Sequence, residues 1–208
     1  DDKNYVVYNN GEKIVDALAE EVTKGFIYDR EYKNPDNVFK EPKISTPEDL
    51  NILLKKMISH ENIASRAVVF ESYDKQVQGR TIIESGMSDA GVMAPFNSDE
   101  YPKEIRKVGI ALSTDHNPNQ SKINPYLGGM NATLEAMRNV AAVGATPHAL
   151  SDCLCFGNPE KPHQMWEFVE AVKGVSDACK GVKLKEHPDS PTPIIAGNVS
   201  FYNESKSK

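Results

Sequence analysis

The chain has 208 residues, of which 39% are hydrophobic and 26% are charged, and its formal net charge is −6. These values are typical of one globular domain with part of a second, and they exclude a disordered or fibrous protein. The negative charge, without a basic cluster, argues against nucleic acid as a partner. No apolar stretch has the length that predicts a membrane-spanning helix, so no membrane is expected either.

The cysteines and histidines indicate a reduced compartment rather than a disulfide framework. Cys153, Cys155 and Cys179 are an odd number, with no second Cys or His pair at a zinc spacing. The first residues also lack the basic start and apolar centre of a signal peptide. We therefore expect a cytoplasmic protein whose cysteines are buried as small apolar side chains. The five histidines are scattered, and His116 and His148 are expected to be loop or core residues.

The first part of the chain reads as a separate unit. Apolar segments on both sides of Asn9-Asn10-Gly11 predict a β-hairpin. The polar segment 28–43 contains two prolines and predicts a linker. We therefore interpret residues 1–40 as the tail of a preceding domain with its linker, and residues 41–208 as the main domain.

A helix is predicted to follow the linker. Ser45 or Thr46 is its expected cap, and Pro47 is expected in its first turn. Its apolar face is formed by Leu50, Leu53, Leu54 and Met57.

Strands and helices then alternate, which predicts an α/β or α+β domain. Short apolar segments predict strands at 81–85, 90–96, 107–115, 148–159 and 194–197, and helices are predicted within 128–147 and 161–182. Segment 116–129 is predicted to be a loop on its composition. The helix within 128–147 is rich in small residues, so we expect another element to pack closely on it.

Oxygen-bearing side chains on that helix suggest a cation site. Glu135 and Asn139 are one turn apart, so both side chains leave the same face. Two oxygen ligands suit Mg²⁺, which completes its shell with water and phosphate. A solvated helix face explains the same spacing. Asp89 and Asp115 are further carboxylates that a fold would have to bring close.

Polar residues at two strand ends suggest a ligand site. Asp152 follows an apolar strand, where it is either a turn residue or a ligand contact. Gly197 ends the apolar segment 193–197 and permits close approach of the backbone to a phosphate, and Asn198 and Ser200 follow with side-chain oxygens. The chain lacks a G-x-x-x-x-G-K-[ST] phosphate loop and a G-x-G-x-x-G motif.

Several long segments resemble the phosphoribosylformylglycinamidine synthase family of purine-pathway amidotransferases. They are NIASRAVVFESYDKQVQG, STDHNP, NPYLGGMNATLEAMRNVAAVGATPHALSDCLCFGNPEKP and IIAGNVSFYNES, which together cover about residues 60–205. The resemblance implies a mixed sheet flanked by helices, like the N-terminal domain of aminoimidazole ribonucleotide (AIR) synthetase, that dimerises through the sheet. Within the family, the chain resembles the N-terminal domain of the second of two such halves.

The family reaction, as the resemblance implies it, amidates formylglycinamide ribonucleotide. ATP activates the amide oxygen as an iminophosphate, ammonia from glutamine displaces the phosphate, and Mg²⁺ neutralises charge on the transferred group. The implied partners are ATP, the ribonucleotide, the first half of the same enzyme, and a glutaminase domain or subunit. Because that first half is missing here, we expect a homodimer that imitates the pairing of the two halves.

Residue roles carry over by motif. The resemblance implies that Asp152 and Gly197 contact ATP, that Asn198 binds Mg²⁺, and that Ser200 contacts substrate, and it implies no catalytic residue in this chain. It also assigns the set on and near the small-residue helix to metal binding in an auxiliary nucleotide site: Asp89, Glu135 and Asn139.

One position departs from the family pattern. The first half carries a histidine in an H-N-H-P motif, whereas the stretch here is TDHNP, with Asp115 in place of that histidine and His116 one position away. We therefore expect the chain alone to lack amidotransferase activity. The alternative function is a non-catalytic nucleotide-binding or assembly module of the same superfamily.

Overall fold

The structure is a computed structural model that describes residues 3–25, 27–35, 40–43, 45–46 and 49–205. It begins with the predicted hairpin, in which β1 (Asn4–Asn9) pairs antiparallel with β2 (Glu12–Leu18). Asn10 and Gly11 connect the strands with φ values of 48° and 84°. Positive φ at both positions is what an Asn-Gly hairpin turn requires, so the prediction is confirmed. Helix α1 (Ala19–Lys24) follows.

The linker lies along a later helix. The backbone N–H of Lys33 donates to the carbonyl oxygen of Pro162 at 3.0 Å. The Lys173 ammonium lies 5.8 Å from the centre of the Tyr32 ring. Residues 27–35 therefore contact the domain that follows instead of standing apart from it.

Helix α2 (Leu50–Ile58) begins later than predicted. Its cap is Asp49, whose carboxylate accepts hydrogen bonds from the backbone N–H groups of Asn51 and Ile52. The prediction of Ser45 or Thr46 as the cap is therefore wrong, and Pro47 lies outside the described residues. An aspartate at this position satisfies the free N–H groups and complements the positive end of the helix. The short helix α3 (Ala67–Phe70) follows.

Two further sheets make up the main domain. Strands β3 (Thr81–Ile83), β4 (Gly91–Met93) and β5 (Ile110–Leu112) form an antiparallel sheet in that order. Strands β6 (Leu150–Cys155) and β7 (Ile194–Ser200) form a parallel pair. The mixed α/β class is confirmed, with parallel and antiparallel strands in separate sheets across the described residues.

The segment 116–129, predicted to be a loop, is largely helical. Helix α4 (Pro118–Ile123) is capped by Asn117, and helix α5 (Pro125–Ala142) is capped by Asn124. Each cap is an Asn whose side chain accepts from backbone N–H groups, followed by a Pro at the first helical position. The loop prediction is wrong because Asn-Pro here starts helices, as Pro at the first position favours.

Helices α5 and α6 (Pro162–Gly181) form the tightest contact of the domain. A Cβ on Gly174 would lie 2.9 Å from the carbonyl carbon of Tyr126 and 3.0 Å from the backbone nitrogen of Met130. A Cβ on Gly129 would lie 3.2 Å from the carbonyl carbon of Ala171. The expectation that another element packs closely on the small-residue helix is confirmed, because glycines on both helices let the backbones touch.

The domain leaves much apolar surface exposed. The accessible surface of the whole chain is 16436 Å², whereas a compact monomer of this mass exposes about 9,600 Å². The four apolar residues of the predicted α2 face are exposed, and so are Leu112 at 66% and Ile195 at 71%. The buried core is small and includes Met137, Ala171 and Cys179. Within the described ranges, no helix is both long enough and apolar enough to cross a membrane.

Candidate functional site

The middle of β6 and β7 brings the first predicted pair together. The prediction that Asp152 and Gly197 stand at strand ends is wrong, because both strands continue past them, to Cys155 and Ser200. In the parallel register Asp152 is the partner of Gly197. A Cβ on Gly197 would lie 2.5 Å from Cγ and 2.7 Å from Oδ2 of Asp152, which is inside ordinary van der Waals contact. The half-buried Asp152 carboxylate is thus seated against a position that only glycine fits without movement.

The next two predicted residues lie on the other face of the same strands. Asn198 pairs with Cys153 and Ser200 with Cys155. Because side chains alternate along a strand, these positions face away from Asp152 and Gly197. Asn198 is exposed and Ser200 is half-buried. The four residues therefore lie on both faces of one strand pair, from its middle to its carboxyl-terminal end.

The segment after β7 is held by a residue that the sequence analysis missed. The Asn203 amide donates to the carbonyl oxygen of Ser200 at 2.8 Å, to Ser200 Oγ at 3.1 Å, and to the carbonyl oxygen of Phe156 at 3.2 Å. Tyr202, with φ of 61°, donates its N–H to the carbonyl oxygen of Gly157. These bonds fix the Ser200 hydroxyl next to the loop that follows β6.

Glu204 and Lys161, which were also missed, hold the loop that follows β6. Glu204 Oε2 lies 2.6 Å from Lys161 Nζ, and its Oε1 accepts from the Asn158 N–H at 2.8 Å. The hydrogen bond from Lys161, followed by that from the Asn158 backbone, lowers the pKa of the Glu204 carboxyl below its ordinary value. The signal was present in the sequence, because both partners lie in segments that carry the family resemblance.

Aromatic packing anchors this end of the strands to α6. The Phe168 ring lies edge-to-face against Phe156 at 5.3 Å and against Phe201 at 5.1 Å between centroids. Phe156 directly follows β6, and Phe201 directly follows β7. Rings in this arrangement add stability beyond their buried area, so the loops that carry the polar residues start from fixed points.

The second predicted set, which is Asp89, Glu135 and Asn139, lies near the antiparallel sheet of β3, β4 and β5. The Asn139 side-chain nitrogen donates to Asp115 Oδ1 at 2.9 Å, and Ser113 Oγ donates to Asp115 Oδ2 at 2.7 Å. Because the amide NH₂ is used in this way, the Asn139 Oδ1 oxygen remains as its ligand atom. Glu135 is exposed one turn earlier on α5.

Asp89 lies at the same edge of the antiparallel sheet. Gly91 pairs with Leu112, so the start of β4 and the end of β5 are neighbours, and Asp89 comes two residues before Gly91. Among the described residues, however, neither Asp89 nor Glu135 belongs to a group of three His, Cys, Asp or Glu ligand atoms within 4.8 Å of one another. The structure therefore places Asp89 near the end of β5 without assembling a carboxylate cluster.

The cysteine prediction is wrong for two of three residues. Cys153 and Cys155 are exposed, with their sulfur atoms 3.7 Å apart, and only Cys179 is buried. Along β6 the exposed residues alternate with the half-buried Leu150, Asp152 and Leu154, so the thiols occupy the outer face. Burial raises the pKa of the Cys179 thiol.

Comparison with known proteins gives one family match and close relatives. Residues 87–208 match the family model for the AIR synthase related protein, N-terminal domain. The chain is 48% identical over 201 residues to phosphoribosylformylglycinamidine synthase subunit PurL of Methanothrix thermoacetophila, covering 97% of this chain and 25% of that protein. It is 38% identical over 205 residues to PurL of Methanocaldococcus jannaschii, covering 98% of this chain and 26% of that protein. The chain thus spans about a quarter of the length of the curated relatives it matches.

Solved structures share the fold. Thermotoga maritima PurL complexed with ATP superposes with a TM-score of 0.60 at 22% identity, covering 100% of this chain and 29% of that one. The same protein complexed with FGAR also gives a TM-score of 0.60 at 22% identity, covering 98% of this chain and 28% of that one. At this identity the likeness supports the fold alone.

Proposed function

This chain belongs to the family of AIR synthase related proteins, and on that premise we propose that it forms one wall of the active site of a phosphoribosylformylglycinamidine synthase. The proposed reaction is the ligase step that joins nitrogen to carbon. It converts formylglycinamide ribonucleotide, ATP and glutamine-derived ammonia to formylglycinamidine ribonucleotide in purine biosynthesis. The observation that carries the proposal is the seating of the Asp152 carboxylate against Gly197 on adjacent parallel strands.

The polar residues of β6 and β7 suit the proposed ligands. The absence of a Cβ at Gly197 makes room for the Asp152 carboxylate, whose oxygens can accept hydrogen bonds from ribose hydroxyls. The exposed Asn198 offers an amide oxygen, a ligand type that Mg²⁺ accepts. Bound Mg²⁺ would neutralise charge on the transferred phosphoryl group. Ser200 is proposed to contact the ribonucleotide, since Asn203 holds its hydroxyl in place.

The second set is proposed as an auxiliary nucleotide site. Asp89, Glu135 and Asn139 are proposed to bind a cation and the phosphates of a nucleotide there. The bond from Asn139 to Asp115 supports this role, because it orients the amide oxygen away from Asp115. A nucleotide at this site would stabilise the folded domain in proportion to its occupancy.

The proposed partners follow from the exposed surface. The accessible surface exceeds that of a compact monomer by on the order of 7,000 Å² and includes many large apolar side chains, a feature that marks protein-interaction surfaces. We propose that the first half of the enzyme covers part of it, that a glutaminase domain or subunit supplies ammonia, and that the chain alone forms a homodimer. The free, exposed Cys153 and Cys155 are consistent with the proposed cytoplasmic location.

One observation favours the alternative function. Asp115, which stands where the family pattern has histidine, is engaged by both Ser113 and Asn139. A carboxylate used to hold α5 against the end of β5 is not available for proton transfer. A non-catalytic nucleotide-binding or assembly module is therefore the second candidate.

The experiment is a glycine substitution in the natural protein that carries this chain. Gly197→Ala would force the Asp152 carboxylate to move, whereas Gly181→Ala, where a Cβ meets nothing within 4 Å, is the matched control. We expect ATP-dependent formation of formylglycinamidine ribonucleotide from ammonia to fall on the order of 10–100-fold for Gly197→Ala only.

The readouts separate the two candidates. Loss of product formation together with a raised KM for ATP supports the amidation site. ATP binding without any product formation in the unmodified protein supports the module. Equal activity of Gly197→Ala and Gly181→Ala would contradict the assignment of Asp152 and Gly197 to the active site.

A further inference from the structure

Two histidines and a glutamate meet at the edge of the β6–β7 sheet that lies away from the proposed nucleotide site. The side chains of His148, Glu186 and His187 place one ligand atom each within 4.8 Å of one another. Among the described residues, no other His, Cys, Asp and Glu side chains form a group of three this close together. His148 Nε2 lies 3.9 Å from Glu186 Oε2, and the two imidazole rings are 6.3 Å apart between centroids.

The backbone on both sides of this group is fixed. His148 stands two residues before β6, and the Leu150 N–H donates to the carbonyl oxygen of Pro193, just before β7. Glu186 and His187 lie in a tight turn that the bridge between Leu184 and His187 closes, with His187 N–H donating to Leu184 at 3.1 Å. The loop that carries the turn therefore starts and ends on anchored positions.

Two buried residues hold that loop down. Leu184 is 8% exposed and Thr192 is 3% exposed. The Thr192 N–H donates to the carbonyl oxygen of the buried Cys179 at 3.0 Å, which ties the loop to α6. The side chains of Glu186, His187 and His148 are all exposed to solvent.

From this arrangement we propose that His148, Glu186 and His187 bind a divalent transition-metal ion of the Zn²⁺ class. Imidazole nitrogen is a ligand that Zn²⁺, Ni²⁺ and Co²⁺ favour, whereas Mg²⁺ and Ca²⁺ favour oxygen. In a tetrahedral site with bonds of about 2.0 Å, ligand atoms lie about 3.3 Å apart. Rotation of three exposed side chains covers the remaining distance, and water completes the shell.

The site is separate from the proposed nucleotide site. Strands β6 and β7 run parallel, so both start at this edge; Asp152 lies two residues or about 7 Å past the start of β6, and Gly197 lies three residues or about 10 Å past the start of β7. A metal ion bound here would connect the loop between α6 and β7 to the residues before β6. Its effect is on stability and not on the reaction.

The test is a metal titration of the natural protein that carries this chain, after treatment with chelator and with Mg²⁺ in excess. Cys153 and Cys155 are exposed thiols, so the titration is done in a Cys153→Ser, Cys155→Ser background. Co²⁺ is followed by its visible ligand-field absorption and Zn²⁺ by calorimetry. We expect binding by this site, and His148→Ala and His187→Ala each weaken it at least about tenfold.

His60→Ala, which removes an exposed histidine elsewhere, is the control and leaves affinity unchanged. The double variant His148→Ala, His187→Ala should lose both the Co²⁺ signal of this site and the rise in Tm on adding Zn²⁺, while its circular dichroism without metal stays that of the parent. A double variant that still binds Co²⁺ like the parent overturns the proposal. Product formation is expected to be unchanged, so failure here is distinguishable from failure of the proposed amidation site.

Discussion

The contact between α5 and α6 yields the sharpest test of the fold. Gly174 lies where the two helices cross, and Gly174→Ala would place a Cβ 2.9 Å from the carbonyl carbon of Tyr126 and 3.0 Å from the nitrogen of Met130. These are backbone atoms, so no side chain can rotate away. The carbonyl oxygen of Tyr126 would lie closer still, so the two helix backbones would have to move apart before an ordinary contact is restored.

Two opposing effects set the magnitude. Alanine in place of glycine inside a helix favours folding by about 1 kcal/mol. Overpacking of a tight interior costs about 1–3 kcal/mol, and the upper end applies because an entire helix must move. We therefore expect Gly174→Ala to lower the free energy of unfolding by about 2 kcal/mol, which in a domain of this size lowers Tm by about 4–8 °C.

The control is Gly181→Ala at the end of the same helix, where a Cβ meets nothing within 4 Å. It should be neutral or more stable by up to about 1 kcal/mol. Urea and thermal unfolding followed by the fluorescence of Trp166, the single tryptophan, which lies on α6, measure both variants. If the two variants unfold at the same denaturant concentration and temperature, the close crossing of the helices is refuted.

Three further predictions address the sites and the assembly. The pKa of Glu204 is lowered in the folded state, so the bonds of its carboxylate stabilise the fold above the unfolded value near 4.5, and this stabilisation is lost as the pH falls through the folded pKa. Glu204→Gln should therefore flatten the acid limb of a plot of unfolding free energy against pH. An unchanged plot would contradict the role of the Glu204 bonds to Lys161 and Asn158. In the natural protein, Asn198→Ala should reduce turnover on the order of 10–100-fold, whereas Glu135→Ala should lower Tm and co-purified nucleotide; the reverse pattern would exchange the two sites. The isolated chain should be a homodimer by light scattering and should form no product from ammonia, and a monomer at high concentration or measurable turnover would contradict this.

Local signals in the sequence predicted much of the fold. The Asn-Gly turn predicted the hairpin, and helical periodicity predicted α5 and α6, because these features depend on neighbouring residues. The Asn-Pro pairs at Asn117 and Asn124 carried an equally local signal for helix starts, but their composition was interpreted as a loop. The helix start at Asp49 was missed because Ser, Thr and Asp are all good caps, and the sequence does not rank them.

The arrangement of the sites depended on contacts that one sequence does not show. Asp152 and Gly197 were assigned to one ligand by family resemblance, and only strand register shows that they touch. His148, which was expected to be a loop or core residue, lies 39 residues before His187 in the sequence. They meet because β6 and β7 are parallel, which brings the segments before both strands to one edge.

One face of β6 and β7 carries both the exposed thiols and two of the proposed ligand residues. Cys153 and Cys155 were expected to be buried, as cysteine usually is, yet they share an uncovered face with Asn198 and Ser200. A phosphoryl transfer needs a site from which water is excluded, and a face open to solvent does not provide it. The surface that buries the thiols would therefore also close the site around Asn198. If the proposed first half of the enzyme covers this face, protection of Cys153 and Cys155 from thiol reagents should appear together with turnover when that half is added.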